Sequence, residues 1–227
     1  MKITKKASLL ILLVVVLAGI VMSCGFTGKE ENPKNKKNVE SPQKSTVKPK
    51  ISEEEQKKAK EAEEKQKRLE DKYQKGYEAF HSQKNTEAIK LEDEVLMEDD
   101  TFYKAYNVKG IALCYSGKFN DGMANIDKAL AIKPDYGYAR FNKALANELY
   151  GRFDEALKWY DKSLEVENYI WTYYGIASIY GRRGDVPNTI KYLKIAVEME
   201  PGIKGLAKEE ADFNPVKKSK EFQELTK

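Results

Sequence analysis

The sequence predicts an all-α solenoid of four similar units between Leu69 and Pro201, and three observations predict it. Small residues recur at Gly76, Gly110, Ala144 and Ala177, spaced by 34, 34 and 33 residues. Twelve residues behind each stands Ala88, Gly122, Ala156 or Thr189, and seven further on Val95, Ala129, Ser163 or Ala196. Between the first two columns lie Gly117, Gly151 and Gly184, followed two residues later by Phe119, Phe153 and Val186. A fixed period of this length marks a stack of one supersecondary unit whose apolar face is buried only by its neighbours.

Ahead of the repeats, Lys2, Lys5 and Lys6 precede an apolar run from Leu9 to Met22. Fourteen residues are too few for a hydrocarbon core of about 30 Å, which takes about 20 helical residues. They suit the apolar region of a secretory signal over residues 1–23. The run ends in Val21-Met22-Ser23-Cys24-Gly25, which resembles a bacterial lipobox. That resemblance implies cleavage behind Ser23 and a diacylglycerol thioether on Cys24, so that the chain is extracytoplasmic and lipid-anchored, on an outer membrane if the cell has one. The covalent lipid is the only cofactor-like group expected. An uncleaved signal anchor is the alternative, and it places the chain on the same side.

Residues 24–51 form the next element, a tether. They are rich in Lys, Glu, Asn, Ser and Pro, with Pro33, Pro42 and Pro49, and cannot bury enough surface to offset their chain entropy. A charged helical spacer follows at 52–68. Ser52-Glu53-Glu54-Glu55 reads as a capping box, and Glu53–Lys57, Glu54–Lys58, Glu61–Lys65, Glu63–Lys67 and Glu64–Arg68 are i,i+4 pairs of the favourable order. The helix has no apolar stripe before Leu69, so it predicts a solvated spacer rather than a coiled coil.

The repeat columns resemble the tetratricopeptide repeat (TPR), a 34-residue helix–turn–helix, in units 69–102, 103–136, 137–169 and 170–201. Small side chains in the first two columns let the two helices of a unit cross closely, and the third column lets the second helix pack on the next unit. The turn glycine accepts a positive φ at little cost. In the first unit Gln83 and Asn85 replace the turn glycine and the aromatic, and Val95 replaces a small residue, as befits a terminal repeat. In the third, Asn168 stands where Pro134 and Pro201 close other units, and the next unit arrives one residue early. Residues 202–227 resemble the tail that often follows the last repeat: Asn214 as N-cap and Pro215 at N1 would open a short helix, with Phe213, Val216, Phe222 and Leu225 covering the end of the solenoid.

Catalysis is not expected. His81 beside Ser82 is no dyad, since adjacent helical side chains diverge, and it reads as a surface histidine. Cys114 has no activating histidine and reads as a packing residue. With two cysteines and one histidine the usual four-ligand zinc sites cannot form. The cluster Glu92, Asp93, Glu94, Glu98, Asp99 and Asp100 lacks the spacing of a calcium loop and reads as a solvated helix face, so no metal is expected. The whole chain carries a net charge of +4, but residues 69–201 hold 18 Lys/Arg against 22 Asp/Glu. No nucleic acid is expected on such a surface.

The TPR resemblance further implies that the first helix of each unit lines a concave groove. The positions that face it give Tyr73 and Tyr77, Asn107 and Ile111, Tyr138, Phe141 and Asn142, then Trp171 and Tyr174. An aromatic, nearly neutral groove of this kind suits a protein or peptide partner, with tyrosine and tryptophan as anchors. A carboxylate clamp needs basic residues where this chain has Trp171 and Gly175. The expected function is a membrane-anchored, monomeric, non-catalytic binding scaffold or assembly factor of the bacterial envelope. The alternatives are a self-associating structural protein and a glycan-binding module.

Overall fold

The computed structural model describes residues 52–227. The leader 1–23, Cys24 and the tether lie outside the described residues. Ten α-helices and one 3-10 turn follow one another, with no strand among the described residues. The first eight pair into hairpins: α1 (Glu53–His81) with α2 (Asn85–Glu98), α3 (Tyr103–Tyr115) with α4 (Phe119–Ile132), α5 (Gly137–Leu149) with α6 (Phe153–Leu164), and α7 (Ile170–Arg182) with α8 (Val186–Met199). Each of α1, α3 and α5 also packs on the first helix of the next unit. The all-α repeat solenoid expected from the columns is the fold observed.

The columns act as their residue types require. Gly110 and Gly122 place two backbones in contact: a Cβ on Gly110 would lie 2.8 Å from the Gly122 carbonyl oxygen, and one on Gly122 2.6 Å from that of Gly110. Gly117, Gly151 and Gly184 turn the chain at φ of 84°, 72° and 73°. In the first hairpin Gln83 takes the same turn at φ 62°, the one non-glycine residue with positive φ among those described. Ala88, Val95, Ala129, Ala156 and Ala196 are fully buried between helices.

The spacer is not a separate element. Nothing between Arg68 and Leu69 breaks a helix, so the charged segment and the first repeat helix run on as one helix of 29 residues. Ser52 and Glu55 close the capping box in both directions. Residues 53–68 are exposed on every side and extend the helix by about 24 Å at 1.5 Å per residue. Of the expected pairs, Glu54–Lys58 forms at 2.6 Å. Arg68 reaches instead across to Glu98 on α2 at 2.7 Å, where Lys72 joins it. These two cations hold the Glu98 carboxyl down at about 2.

The junction at Asn168 is also distinctive. Helix α6 has 12 residues where α2, α4 and α8 have 14, and Arg140 ties the shortened end by donating to the Lys162 carbonyl at 2.7 Å and to Glu165 at 3.0 Å.

The C-terminal segment caps the solenoid, but not by the helix expected. It comprises α9 (Ile203–Glu209), a 3-10 turn (Ala211–Phe213) and α10 (Lys220–Leu225). The last helix is opened by Ser219, whose hydroxyl accepts from the Phe222 amide at 3.2 Å. Asn214 ends the 3-10 turn in αR geometry, its amide donating to the Ala211 carbonyl, and opens no helix. Phe213, Val216 and Phe222 are buried as anchors, and Leu225 is half-buried.

Candidate functional site

The first helices of the units form the inner face, and the aromatic positions lie there. The structure brings them together more tightly than an open groove allows. Tyr73, Asn107, Ile111, Phe141, Asn142, Trp171 and Tyr174 are all buried, none more than 7% exposed. Only Tyr77 and Tyr138 of the expected set are half-open to solvent.

The reason is that rings from non-adjacent units meet. Tyr77 of the first unit reaches Tyr138 of the third at 6.3 Å between centroids. Tyr138 stacks on Phe141 at 6.2 Å, and Tyr169 meets both, at 6.4 Å and 5.0 Å. Separations of this size with offset or edge-on geometry are favourable for aromatic pairs. The inner face therefore closes over its own side chains. Asn142, expected to pair with a peptide backbone, instead donates its amide to Asn107 Oδ1 at 3.1 Å. Trp171 and Tyr174 pack edge-on at 5.7 Å, and Phe213 of the cap covers Tyr174 at 5.6 Å. These seven positions belong to the packing between helices.

Sequence reasoning missed three aromatics that complete the face. Phe102, Tyr136 and Tyr169 are the residues immediately before α3, α5 and α7. They form a further column of the 34-residue period, and that spacing was the signal. Tyr136 meets Tyr138 at 6.3 Å and Tyr103 edge-on at 4.9 Å. Together Tyr103, Tyr136, Tyr77, Tyr138 and Tyr169 make a half-buried aromatic strip. Burial raises the hydroxyl pKa of Tyr77, Tyr136, Tyr138 and Tyr169, so they stay neutral donors. The Lys104–Glu70 ion pair at 2.8 Å flanks the strip.

Two polar residues depart from their sequence reading. His81 is half-buried rather than a surface group: Tyr77 lies 4.2 Å and Phe80 5.3 Å away between ring centroids. Neither imidazole nitrogen has a partner, and burial lowers its pKa to about 4. Glu92 is fully buried, not part of a solvated face, because it occupies the column filled by Ile126, Tyr160 and Leu193 in the other units. Cys114 is a buried packing residue whose thiol burial pushes up to about 12.

At the far end of the inner face lies a second polar cluster. Glu148 accepts from Tyr160 at 2.7 Å and Ser178 contacts it at 3.2 Å, while Arg182 reaches Glu148 and the cap residue Asp212 together. Gly175 is glycine because a Cβ there would fall 2.5 Å from the Tyr160 hydroxyl. Among the described residues no group of three or more His, Cys, Asp or Glu side chains is placed to hold a metal ion. No described helix is long and apolar enough to cross a membrane.

The chain is 32% identical over 78 residues to the uncharacterized protein MJ0572 of Methanocaldococcus jannaschii. The match covers 34% of this chain and 86% of that protein. The chain belongs to the family of that protein. It is also 32% identical over 95 residues to the STIP1 homolog of Dictyostelium discoideum, covering 41% of this chain but only 16% of that one. No family model matches the chain. Among solved structures, the thermophilic TPR protein TTC0263 of Thermus thermophilus aligns with a TM-score of 0.57 at 17% identity, covering 64% of this chain and 80% of that one. MamA aligns at 0.50 and 23% identity, covering 59% and 78% of the two chains. The fold is thus that of TPR solenoids.

Proposed function

We propose that the protein is a non-catalytic scaffold that binds a protein or peptide partner on its inner face and is held at a membrane, outside the cytoplasm, by a lipid on Cys24. One observation carries the binding reading: the strip of half-buried tyrosines, Tyr77, Tyr138 and Tyr169 with Tyr103 and Tyr136, which runs across three units and remains partly open to solvent. Aromatic anchors of this type, already rigid through mutual packing, lose little entropy when a partner docks. The partner contacts this strip rather than the seven buried positions, which it could reach only by unpacking the stack. The sequence around Cys24 supports the anchor, and the exposed first half of α1 then serves to hold the solenoid away from the bilayer.

The test is crosslinking capture from envelope extract by the full chain and by a Tyr77→Ala/Tyr138→Ala variant whose helicity is verified by circular dichroism. A micromolar partner corresponds to about −8 kcal/mol. Losing two anchors worth about 2 kcal/mol each weakens it roughly a thousandfold, so capture is lost. Equal capture by the folded variant removes the strip as the binding surface. In the same extracts Cys24→Ala should leave the membrane fraction, and retention there refutes the anchor.

A further inference from the structure

The cluster that joins the third unit, the fourth unit and the cap is one proton short if both of its carboxyls are ionised. Ser178 Oγ lies 3.2 Å from Glu148 Oε1 and 2.8 Å from Asp212 Oδ2. A serine hydroxyl has a single hydrogen and can donate to only one of them. The other contact is a hydrogen bond only if that carboxyl supplies its own proton. Arg182 reaches the same two oxygens, which leaves one positive charge for two acids.

The surroundings do not correct the imbalance. From α6, Tyr160 donates to Glu148 Oε2 at 2.7 Å. From α3 and α7, Tyr115 and Tyr174 bring hydroxyls that have no partner and that feel the Glu148 charge. From the segment before the 3-10 turn comes a further buried acid, Glu210, 4% exposed. Among the described residues Arg182 is the one cation acting on this set. Burial raises the Glu148 carboxyl to about 7, with Asp212 adding to the rise and Arg182, Tyr160 and Ser178 opposing it. Burial and then the Asp212 charge raise Glu210 as well.

We propose that a proton on Glu148, donated to Ser178 while the Ser178 hydroxyl donates to Asp212, latches the C-terminal cap onto the fourth unit, and that its loss on alkalinisation releases the cap. Glu148 sits on α5 inside a hairpin and cannot move away. Asp212 sits on a three-residue 3-10 turn and can. When both are ionised, their repulsion in a buried site is relieved by lifting the turn. Its neighbour Phe213 then leaves Gly181, where a Cβ would fall 2.7 Å from the Phe213 ring, and the face of Tyr174 is uncovered. The sign follows from the raised carboxyl: docking is tightest in acid and weakens as the pH rises through about 7.

The experiment is hydrogen exchange read by mass spectrometry on the detergent-solubilised full chain, at pH 5.5 and 8.5, with rates corrected for the intrinsic pH dependence of exchange. Peptides covering 210–226 report the cap and peptides from α3 and α4 serve as reference. A full return from about 7 when docked to the solvated 4.5 when released sets the upper limit, cap opening about thirtyfold more frequent at the higher pH, while the reference peptides do not follow. Glu148→Gln keeps an acceptor oxygen for Arg182 and Ser178, turns an amide N–H towards the Tyr160 hydroxyl oxygen, which can accept it, and carries no titratable proton, so its cap should open equally at both pH values. Asp212→Asn relieves the repulsion from the other side and should flatten the response too, which keeps the test decisive if Glu148→Gln does not fold. A wild-type cap whose opening is unchanged or lower at pH 8.5 overturns the latch. So does a full wild-type response in whichever of the two variants folds.

Discussion

Replacing Glu92 by leucine should stabilise the first repeat. The side chain is fully buried, and neither carboxylate oxygen has a hydrogen-bond partner. Its Oε1 lies where a Cβ on Gly76 would be only 2.2 Å away, flush against α1. Burial, with the nearby Glu70 charge adding to it, raises this carboxyl from 4.5 to about 9. In the folded state at pH 7 it is protonated, and in the unfolded chain it is ionised. Taking up that proton between 4.5 and 7 costs about 3 kcal/mol at pH 7. Leucine, the residue at the same column in the fourth unit (Leu193), removes that cost and the two orphaned oxygens. Some of the gain is lost to imperfect filling of the space, so the net stabilisation should be about 2 to 4 kcal/mol.

The pH dependence makes the argument specific. A folded-state pKa raised above the unfolded value gives stability that is fully present below 4.5 and is lost as pH rises towards about 9. Glu148 contributes in the same direction, but only up to about 7, and the raised Cys114 thiol begins to contribute only as pH approaches 9, so the interval from pH 7 to 8 isolates Glu92. There the wild type should lose roughly 1.4 kcal/mol per pH unit and Glu92→Leu should be flat. Because stability in a repeat array is largely local and nearest-neighbour, the assay is urea unfolding together with exchange protection of the α1–α2 amides. Wild-type protection that is constant from pH 7 to 8, or a leucine variant no more stable than wild type at pH 8, would refute the reasoning.

Two backbone predictions accompany it. Gln83 holds the turn at φ 62° that glycine takes in the other hairpins, so Gln83→Gly should raise the stability of the first repeat by about 1 kcal/mol. An unchanged midpoint in urea unfolding would count against strain at that turn. Gly110→Ala forces a Cβ to within 2.8 Å of the Gly122 carbonyl and 2.9 Å of the Ile126 amide nitrogen. Backbone atoms cannot swing aside as a side-chain tip can, so it should cost about 1–3 kcal/mol, seen as a lower thermal midpoint. Full wild-type stability would mean that α3 and α4 can separate freely.

The architecture was legible because it depends on columns, and a column is visible wherever one small residue type recurs at a fixed spacing. Gly110 against Gly122, or Gly117 in its turn, have the same physical reason in the sequence as in the fold. The inner face was legible only in part. Position within the unit told which side chains point inward, and Tyr77 and Tyr138 do remain half-open there. It could not tell that rings from the first and third units meet, since that depends on the curvature accumulated over the stack. Trp171 and Tyr174 were anchors in sequence and core in space for a related reason: the cap, an element outside the period, lays Phe213 over Tyr174.

Column logic also identifies the residues that no packing argument requires. At the position of Ile126, Tyr160 and Leu193 an apolar body is what the helix crossing needs, and Tyr160 supplies one while directing its hydroxyl to Glu148. Glu92 supplies the same body with a carboxyl that meets nothing, in the repeat whose turn is also the one without glycine. Both departures weaken the same hairpin, and the Arg68 and Lys72 contacts to Glu98 lie on its surface, where exposed pairs contribute little. The first hairpin is therefore the softest joint of the array, and it is the one that joins the solenoid to its exposed helical extension.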